Sequence, residues 1–521
     1  MLVWSTALCV AAAALLLLLH GRKATTSGRR LPPGPRGWPV VGNIFDLGSR
    51  PHATLAGLKR KYGPLIWLQL GSVDTLVISS SKAAMEMFKN HDQSFSNRHL
   101  SETLKSDDTF SATITLSNYG PYWRMLRRLC TTELFSRKRI KDTRLLRRRC
   151  VDKMIKWISD EAEQLASTST TNRSSSNGIE VSPFVMATVF NMISNLVLSR
   201  DLIVDPKSTK GNDFFELINE IQKLVGTPNV ADFFPASLRW LDPQGLKKKI
   251  KQKFNLVLEI LDSFVEERRL RHGVDDVQHQ QDDNKMKDFL DVLLQFEGNG
   301  KDEPTKISGR NLNMVILELF LAGIETTTTT VEWALTELLR NPKSMKMVRA
   351  EIAQIVGHER KIEESDIEDL HYLNAVIKET LRLHPTTPFL VPHSVVKDVE
   401  FMGYWITKDT QVFINVWGIG RDPSIWDDPL SFKPERFLGS NVDYRGQNFE
   451  FLPFGAGRRM CPGIPLGHQM LHLVLGSLLQ SFEWTQENGV TPETIDMGEN
   501  LGTTLRKAIP LKAIPRALLV V

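Results

Sequence analysis

Apolar positions recur at three- and four-residue spacing over most of this chain, the period of helices that bury one face. The spacing predicts helices at Val151–Leu165, Phe214–Val225, Leu246–Arg269, Asn311–Arg340 and Glu364–Leu383. Alternation of apolar and polar positions is rarer. β-Branched and aromatic residues on either side of Gly71-Ser72 predict two short strands within Leu65–Ser79. Further strands are predicted at Glu400–Tyr404 and Gln411–Asn415, and polar surface loops at Ser167–Asn177 and Val274–Asp288. No internal repeat and no second linker appear. The pattern predicts a mainly α protein with a minor β-sheet, as one large domain over residues 40–521.

The N-terminus departs from that pattern. Leu2–Leu19 is an uncharged apolar run, and a bilayer takes roughly 17–25 such residues to cross. Arg22, Lys23, Arg29 and Arg30 follow it, and no basic residue precedes it. This predicts a single-pass transmembrane anchor over residues 2–20 with the rest of the chain on the cytosolic side. A cleaved signal peptide would want a charged leading region, which is missing. Residues 31–39, Leu31-Pro32-Pro33-Gly34-Pro35-Arg36-Gly37-Trp38-Pro39, read as a stiff Pro-rich hinge, because proline fixes φ and removes donors. The sequon Asn172-Arg173-Ser174 should stay unmodified on the cytosolic side.

Composition narrows the classes. With 521 residues and 41% hydrophobic, the chain can build a large core, which excludes a disordered tail or a disulfide-stapled module. Its 65 Lys+Arg against 60 Asp+Glu leave +5, too little for a dedicated nucleic-acid binder, so no nucleic acid is expected as partner. Cys9, Cys130, Cys150 and Cys461 form no CxxC pair, so neither a zinc knuckle nor a disulfide framework is indicated.

The chemistry concentrates in four motifs. Phe454-Gly455-Ala456-Gly457-Arg458-Arg459-Met460-Cys461-Pro462-Gly463 presents one cysteine on a glycine-rich loop, with a helix starting near Pro465. A helix N-terminus favours negative charge and so biases the sulfur toward thiolate. Gly457 and Gly463 would let a flat macrocycle approach, Phe454 would shield the sulfur, and Arg459 is placed to pair with a carboxylate. Thiolate is the axial haem ligand that favours O–O cleavage. In Glu379-Thr380-Leu381-Arg382 the acid and base share a helix face. With Arg436 of Lys433-Pro434-Glu435-Arg436-Phe437 they would form a buried Glu-Arg-Arg structural lock. Ala322-Gly323-Ile324-Glu325-Thr326-Thr327 opens a run of five threonines in mid-helix, a departure from helix propensity of the kind that marks function. Small residues at 322 and 323 would open a groove beside Thr326 and Glu325. Finally, Trp123 and Arg127 lie one turn apart and can reach a common acidic group. The basic stretch Arg127–Arg149 after them suits an acidic partner.

Together these motifs resemble the cytochrome P-450 family of haem-thiolate monooxygenases, in the plant microsomal form. Met85-Phe88-Lys89-Asn90-His91-Asp92 and Asp443-Tyr444-Arg445-Gly446-Gln447 resemble the subfamily with geraniol 8-hydroxylase and iridoid oxidases. The resemblance implies the cytochrome P-450 fold and haem b (iron protoporphyrin IX) as cofactor. Cys461 would be the axial iron ligand, and Phe454 and Gly455 would border the cofactor. Trp123, Arg127, His393 and Arg459 would bind the propionates. Thr326 with Glu325 would deliver protons to dioxygen. Met460 stands where many relatives carry isoleucine, which keeps the apolar volume.

The resemblance also implies electrons from NADPH through a cytochrome P-450 reductase. It implies contact with membrane lipid and a place in the endoplasmic reticulum membrane facing the cytosol. Phe110, Ala322, Phe389, Leu390, Val391 and Thr503 would line the substrate pocket, whose apolar and hydroxylated character suits a small apolar substrate of terpenoid type. A flavonoid, phenylpropanoid or alkaloid substrate fits the same composition. A haem protein without oxygen chemistry is the alternative that the intact Ala322-Gly323…Glu325-Thr326 set argues against.

Overall fold

The computed structural model describes residues 30–518 apart from 107–109, 111, 170–177, 209–211 and 279–286. The predicted anchor at 2–20 and the sequon therefore lie outside the described residues. Ser167–Ser169 and Val274–Gln278, expected in loops, instead continue the helices before them.

The helices used below are α1 Pro51–Tyr62, α2 Ser81–Asn90, α3 Pro121–Glu133, α4 Arg137–Asp142, α5 Arg144–Ser169, α6 Ser182–Leu198, α7 Asp213–Val225, α8 Leu246–Gln278, α9 Phe289–Leu294, α10 Gly309–Arg340, α11 Pro342–Ile355, α12 His371–Leu383, α13 Val416–Ile419 and α14 Ile464–Ser481. The strands are β1 Leu65–Leu70, β2 Val73–Ile78, β3 Asn97–Arg98, β4 Ile179–Glu180, β5 His393–Ser394, β6 Val399–Phe401, β7 Tyr404–Ile406, β8 Gln411–Ile414, β9 Phe482–Gln486, β10 Glu499–Leu501, β11 Leu505–Lys507 and β12 Lys512–Ala517.

The centre of the molecule is α10. Ser308 caps it by accepting from the Asn311 amide, and it packs against α6, α12 and α14. It is apolar and long enough to cross a membrane, but 67% of its most apolar window is buried in the protein, so it is a core helix. The helices that the spacing did not single out explain themselves. α6 is buried on nearly every side, and α14 nearly so, hence neither shows a polar face to set a period. The predicted helix Glu364–Leu383 is divided. Glu364–Asp366 is a short 3-10 turn, and α12 begins afresh at His371, where the Glu351 carboxylate of α11 accepts the amides of Tyr372 and Leu373.

The main sheet has the order β1-β2-β8-β5-β3, antiparallel except for the parallel β2–β8 pair. Leu65 pairs with Ile78 and Leu70 with Val73, as the run around Gly71-Ser72 predicts. The predicted strand Glu400–Tyr404 is instead a hairpin, β6–β7, turning at Met402-Gly403, both at positive φ. A second sheet, β4-β12-β9, and the pair β10–β11 close the other side.

The Pro-rich stretch lies along the main sheet. The Trp67 amide donates to Pro33 O at 2.9 Å, the Gly71 amide to Val41 O at 3.0 Å, and the Trp405 amide to Arg30 O at 2.9 Å. Gly42 sits at φ +61°, and a Cβ there would stand 1.9 Å from the Gln69 carbonyl oxygen. Gly42→Ala should therefore loosen this strap. The left-handed backbone alone costs about 1–2 kcal/mol, and the backbone clash adds to it. A lowered thermal midpoint, with earlier proteolysis near residues 31–45, is the expected result.

Candidate active site

The chain reaches Cys461 through a tight loop. The Cys461 amide donates to Phe454 O at 3.0 Å, and α14 starts three residues later with Pro465 in its first turn. Burial pushes the Cys461 thiol up. The amides of Gly463 and Ile464 and the Arg127 charge pull it back without overcoming burial. The helix N-terminus thus acts in the predicted direction but does not by itself make a thiolate. A metal ion bonded to the sulfur does so directly.

One glycine of the loop has a reason besides the predicted one. Gly457 is at φ +65°, and a Cβ would meet Asp92 Oδ1 at 2.5 Å. Its place is therefore set by the turn and by Asp92, which also holds Arg458 at 2.6 Å. Gly463 has an ordinary φ of −81°. Gly455, at φ +70°, borders Leu390, while Phe454 packs edge-on against Tyr444 at 5.2 Å.

Among the described residues Arg459 pairs with no carboxylate. It donates to the carbonyls of Ser96 (2.7 Å), Ile114 (3.2 Å) and Ser117 (2.5 Å) and lies over the Trp123 ring at 4.5 Å. Trp123 Nε1 donates to Ile114 O at 2.9 Å, so this indole N–H is engaged by backbone. Arg127 donates to Met460 O at 2.6 Å. His393 is buried and bonded through Nδ1 to Phe95 O at 2.8 Å, and burial with the nearby Arg98 charge holds its pKa well below the ordinary value.

Arg98 is a candidate site residue that sequence reasoning missed. It donates to Thr115 O (3.0 Å) and Val391 O (2.6 Å). A lone arginine has no spacing to mark it, and its only signal is a cation at the edge of a strand-like stretch. Burial and the neighbouring Arg459 lower Arg98 to about 9, and burial and Arg127 lower Arg459 to about 10. Among the described residues none of Arg98, Arg127 and Arg459 makes an ion pair. Such a surplus of desolvated positive charge beside Cys461 fits a dianionic ligand, and the two propionates of haem supply that charge. The residues present therefore fit the group.

On α10, Ala322 is exposed although the turns around it are largely buried, so an open space borders the helix there. Gly323 does not widen it, because a Cβ at 323 would meet Ile193 Cδ1 of α6 at 2.6 Å. The Thr326 hydroxyl donates to Ala322 O at 2.7 Å. Glu325 is buried toward β10–β11. Burial raises its pKa, Thr504 offsets this in part, and the Arg506 guanidinium lies 3.9 Å away.

The predicted lock is formed. Arg382 grips Glu379 at 2.7 and 2.8 Å, Arg436 Nε adds a bond of 3.0 Å, and the Lys433 amide one of 2.8 Å. Two predicted pocket residues pack against other aromatic rings. Phe110 is buried edge-on against Phe254 at 4.6 Å, and Phe389 stacks on Phe413 at 5.0 Å beside the sheet. Phe110 is buried, whereas Phe389 is half-buried. Leu390 and Val391 stay half-buried, and Thr503 donates its hydroxyl to Gln222 O at the end of α7.

Replacing Arg98 by Gln should leave the fold intact and weaken cofactor retention. One lost charge-assisted bond is worth about 1.5–3 kcal/mol, hence roughly a tenfold or greater rise in the rate of haem loss to a scavenger. An unchanged rate would remove Arg98 from the set.

Comparison with known proteins agrees with this geometry. A family model described as Cytochrome P450 matches residues 32–512. The chain is 48% identical to an iridoid oxidase of Catharanthus roseus over 502 residues, 96% of this chain and 95% of that protein. It is 47% identical to Cytochrome P450 76A2 of Solanum melongena, covering 96% of each, and 40% identical to a geraniol 8-hydroxylase of Catharanthus roseus, covering 94% of each. A solved zebrafish cytochrome P450 with progesterone superimposes with a TM-score of 0.71 at 27% identity, over 89% of this chain and 99% of that one. With a cysteine loop, a cation cluster suited to propionates and this match along its length, the chain belongs to the cytochrome P450 family: it is a haem b monooxygenase that draws its electrons from NADPH through a reductase.

Proposed function

We propose that this enzyme hydroxylates a small terpenoid alcohol of monoterpenoid or iridoid type. The observation that carries the reading is the open space beside Ala322, bordered by Thr326 and by the half-buried Leu319. These residues bring methyl groups and one hydroxyl but no unpaired charge. Relatives named iridoid oxidase and geraniol 8-hydroxylase, matched over nearly their whole length, support it.

When bound, haem supplies the oxidising power that places one atom of dioxygen in a C–H bond. The chain does the rest. Apolar side chains orient the substrate and exclude water. Thr326 must release Ala322 O before its hydroxyl can donate elsewhere. Glu325, whose carboxyl holds its proton to higher pH than a free glutamate, faces Thr504 and the exposed Arg506, on the side from which surface protons would enter. On this reading residues 2–20 anchor the enzyme in the endoplasmic reticulum membrane, with the catalytic domain in the cytosol.

For the reductase, the proposal uses only the outward part of the basic stretch. Arg127 faces inward, Arg147 is wholly buried in a bidentate pair with Glu364 at 2.6 and 2.7 Å, and Arg139 is bonded to Lys287 O. Arg137, Lys138 and Lys141 on α4 remain exposed.

Microsomes containing this protein and a plant reductase should convert geraniol to a product one oxygen heavier, dependent on NADPH. No product from monoterpenoid alcohols, with a flavonoid or alkaloid converted instead, would overturn the substrate reading. Reversing Arg137, Lys138 and Lys141 to glutamate should raise the reductase concentration needed for half-maximal turnover about tenfold at low salt and less at high salt, with substrate binding unchanged. Equal loss of substrate binding would rule out a docking role.

A further inference from the structure

We infer that Glu318 is a positioning residue that fixes one wall of the substrate space and ties it to the propionate-binding cations. Glu318 lies on α10 one turn before Ala322 and two before Thr326, on the helix stripe that faces the open space. An acid on such a stripe is costly unless it is bonded. Its partners lie in one segment: Oε2 accepts from Ile114 N at 2.7 Å and Oε1 from Thr115 N at 2.5 Å, and the Thr115 hydroxyl also bonds the carboxylate.

Those amides belong to the irregular segment between β3 and α3, which has no ladder to satisfy them. The opposite edge of the same segment is held by the cation cluster. Ile114 O accepts from Trp123 Nε1 and Arg459 Nη1, Thr115 O from Arg98 Nε, and Ser117 O from Arg459 Nη2. One stretch of backbone is thus clamped from the substrate side by a carboxylate and from the cofactor side by two guanidiniums and an indole. The charges agree: Glu318 faces Arg459 and Arg98 across the segment, and burial, which raises its pKa, is countered by the Thr115 hydroxyl, the amides of Ile114 and Thr115, and Arg459. The acid therefore leaves the pocket effectively apolar, because its lone pairs are turned to this segment. Its removal would release Ala112–Leu116, and with it the wall that sets which carbon of the substrate is presented.

The test uses the full-length holoenzyme and the variants E318Q and E318D. Glutamine keeps the volume but turns an N–H toward one of the two amide donors. In E318Q, hydrogen exchange in peptides covering 112–117 should rise about tenfold, the loss of one net hydrogen bond. The red-shifted Soret band of the reduced carbonyl complex should persist, and the ratio of hydroxylated geraniol isomers should shift. E318D, which retains the charge on a shorter arm, should fall between. If E318Q is too unstable to isolate, E318D gives the same exchange reading. Unchanged exchange would overturn the clamp. Faster exchange with an unchanged isomer ratio would overturn its role in selectivity. An abolished substrate-induced spectral shift with unchanged exchange would assign Glu318 to direct substrate contact instead. The isomer arm rests on the proposed substrate. If the unsubstituted enzyme does not turn over geraniol, that reading fails and the exchange result alone decides this one.

Discussion

Charge cannot be left alone in the interior of this protein, and the site is arranged around that constraint. Glu379 has no exposed surface and accepts from two guanidiniums and one backbone amide. Arg382 goes on to the carbonyls of Gly420 and Pro429. The lock therefore staples α12 to the irregular stretch 420–436, the chain that leads toward the Cys461 loop. Desolvating each ion costs several kcal/mol, so the three charges are worth keeping only together.

At the opposite side of the cysteine the same rule yields a different result. Arg98, Arg127 and Arg459 find carbonyl oxygens but no carboxylate in ion-pair contact among the described residues. Dipoles relieve part of the desolvation and leave the net charge, which is why Arg98 and Arg459 are lowered. The propionates of haem would complete the balance. Glu318 belongs to this same arrangement, since it grips the far edge of the backbone that these cations hold.

Helix α10 serves both as core and as wall. Most of its turns are sealed by α6, α12 and α14, and one face is left open at Ala322. The threonine run that departs from helix propensity is tolerated because hydroxyls bond back to carbonyls four residues earlier, as Thr326 does to Ala322 and Thr330 to Thr326. Buried packing supplies the stability that propensity does not.

Sequence alone determined the features that are local. The period of α10, the strand pair around Gly71-Ser72, the cysteine loop and the Glu379–Arg382 spacing each depend on neighbours within a few residues. Arg436 was reachable because its Pro-Glu-Arg-Phe setting is itself a short pattern. Tertiary structure decided what depends on partners far along the chain. Arg98 becomes a candidate only because the fold buries it and because Arg459, more than three hundred residues later, binds the same segment. Phe110 packs edge-on against Phe254, and Phe389 stacks on Phe413, contacts that no local spacing announces. Gly323 looks like a groove until Ile193 fills it. Glu318 looks like one more polar residue on a helix until Ile114 and Thr115 meet it. Periodicity reports which face of an element is buried, but not against what, and burial energy depends on the identity of the partner.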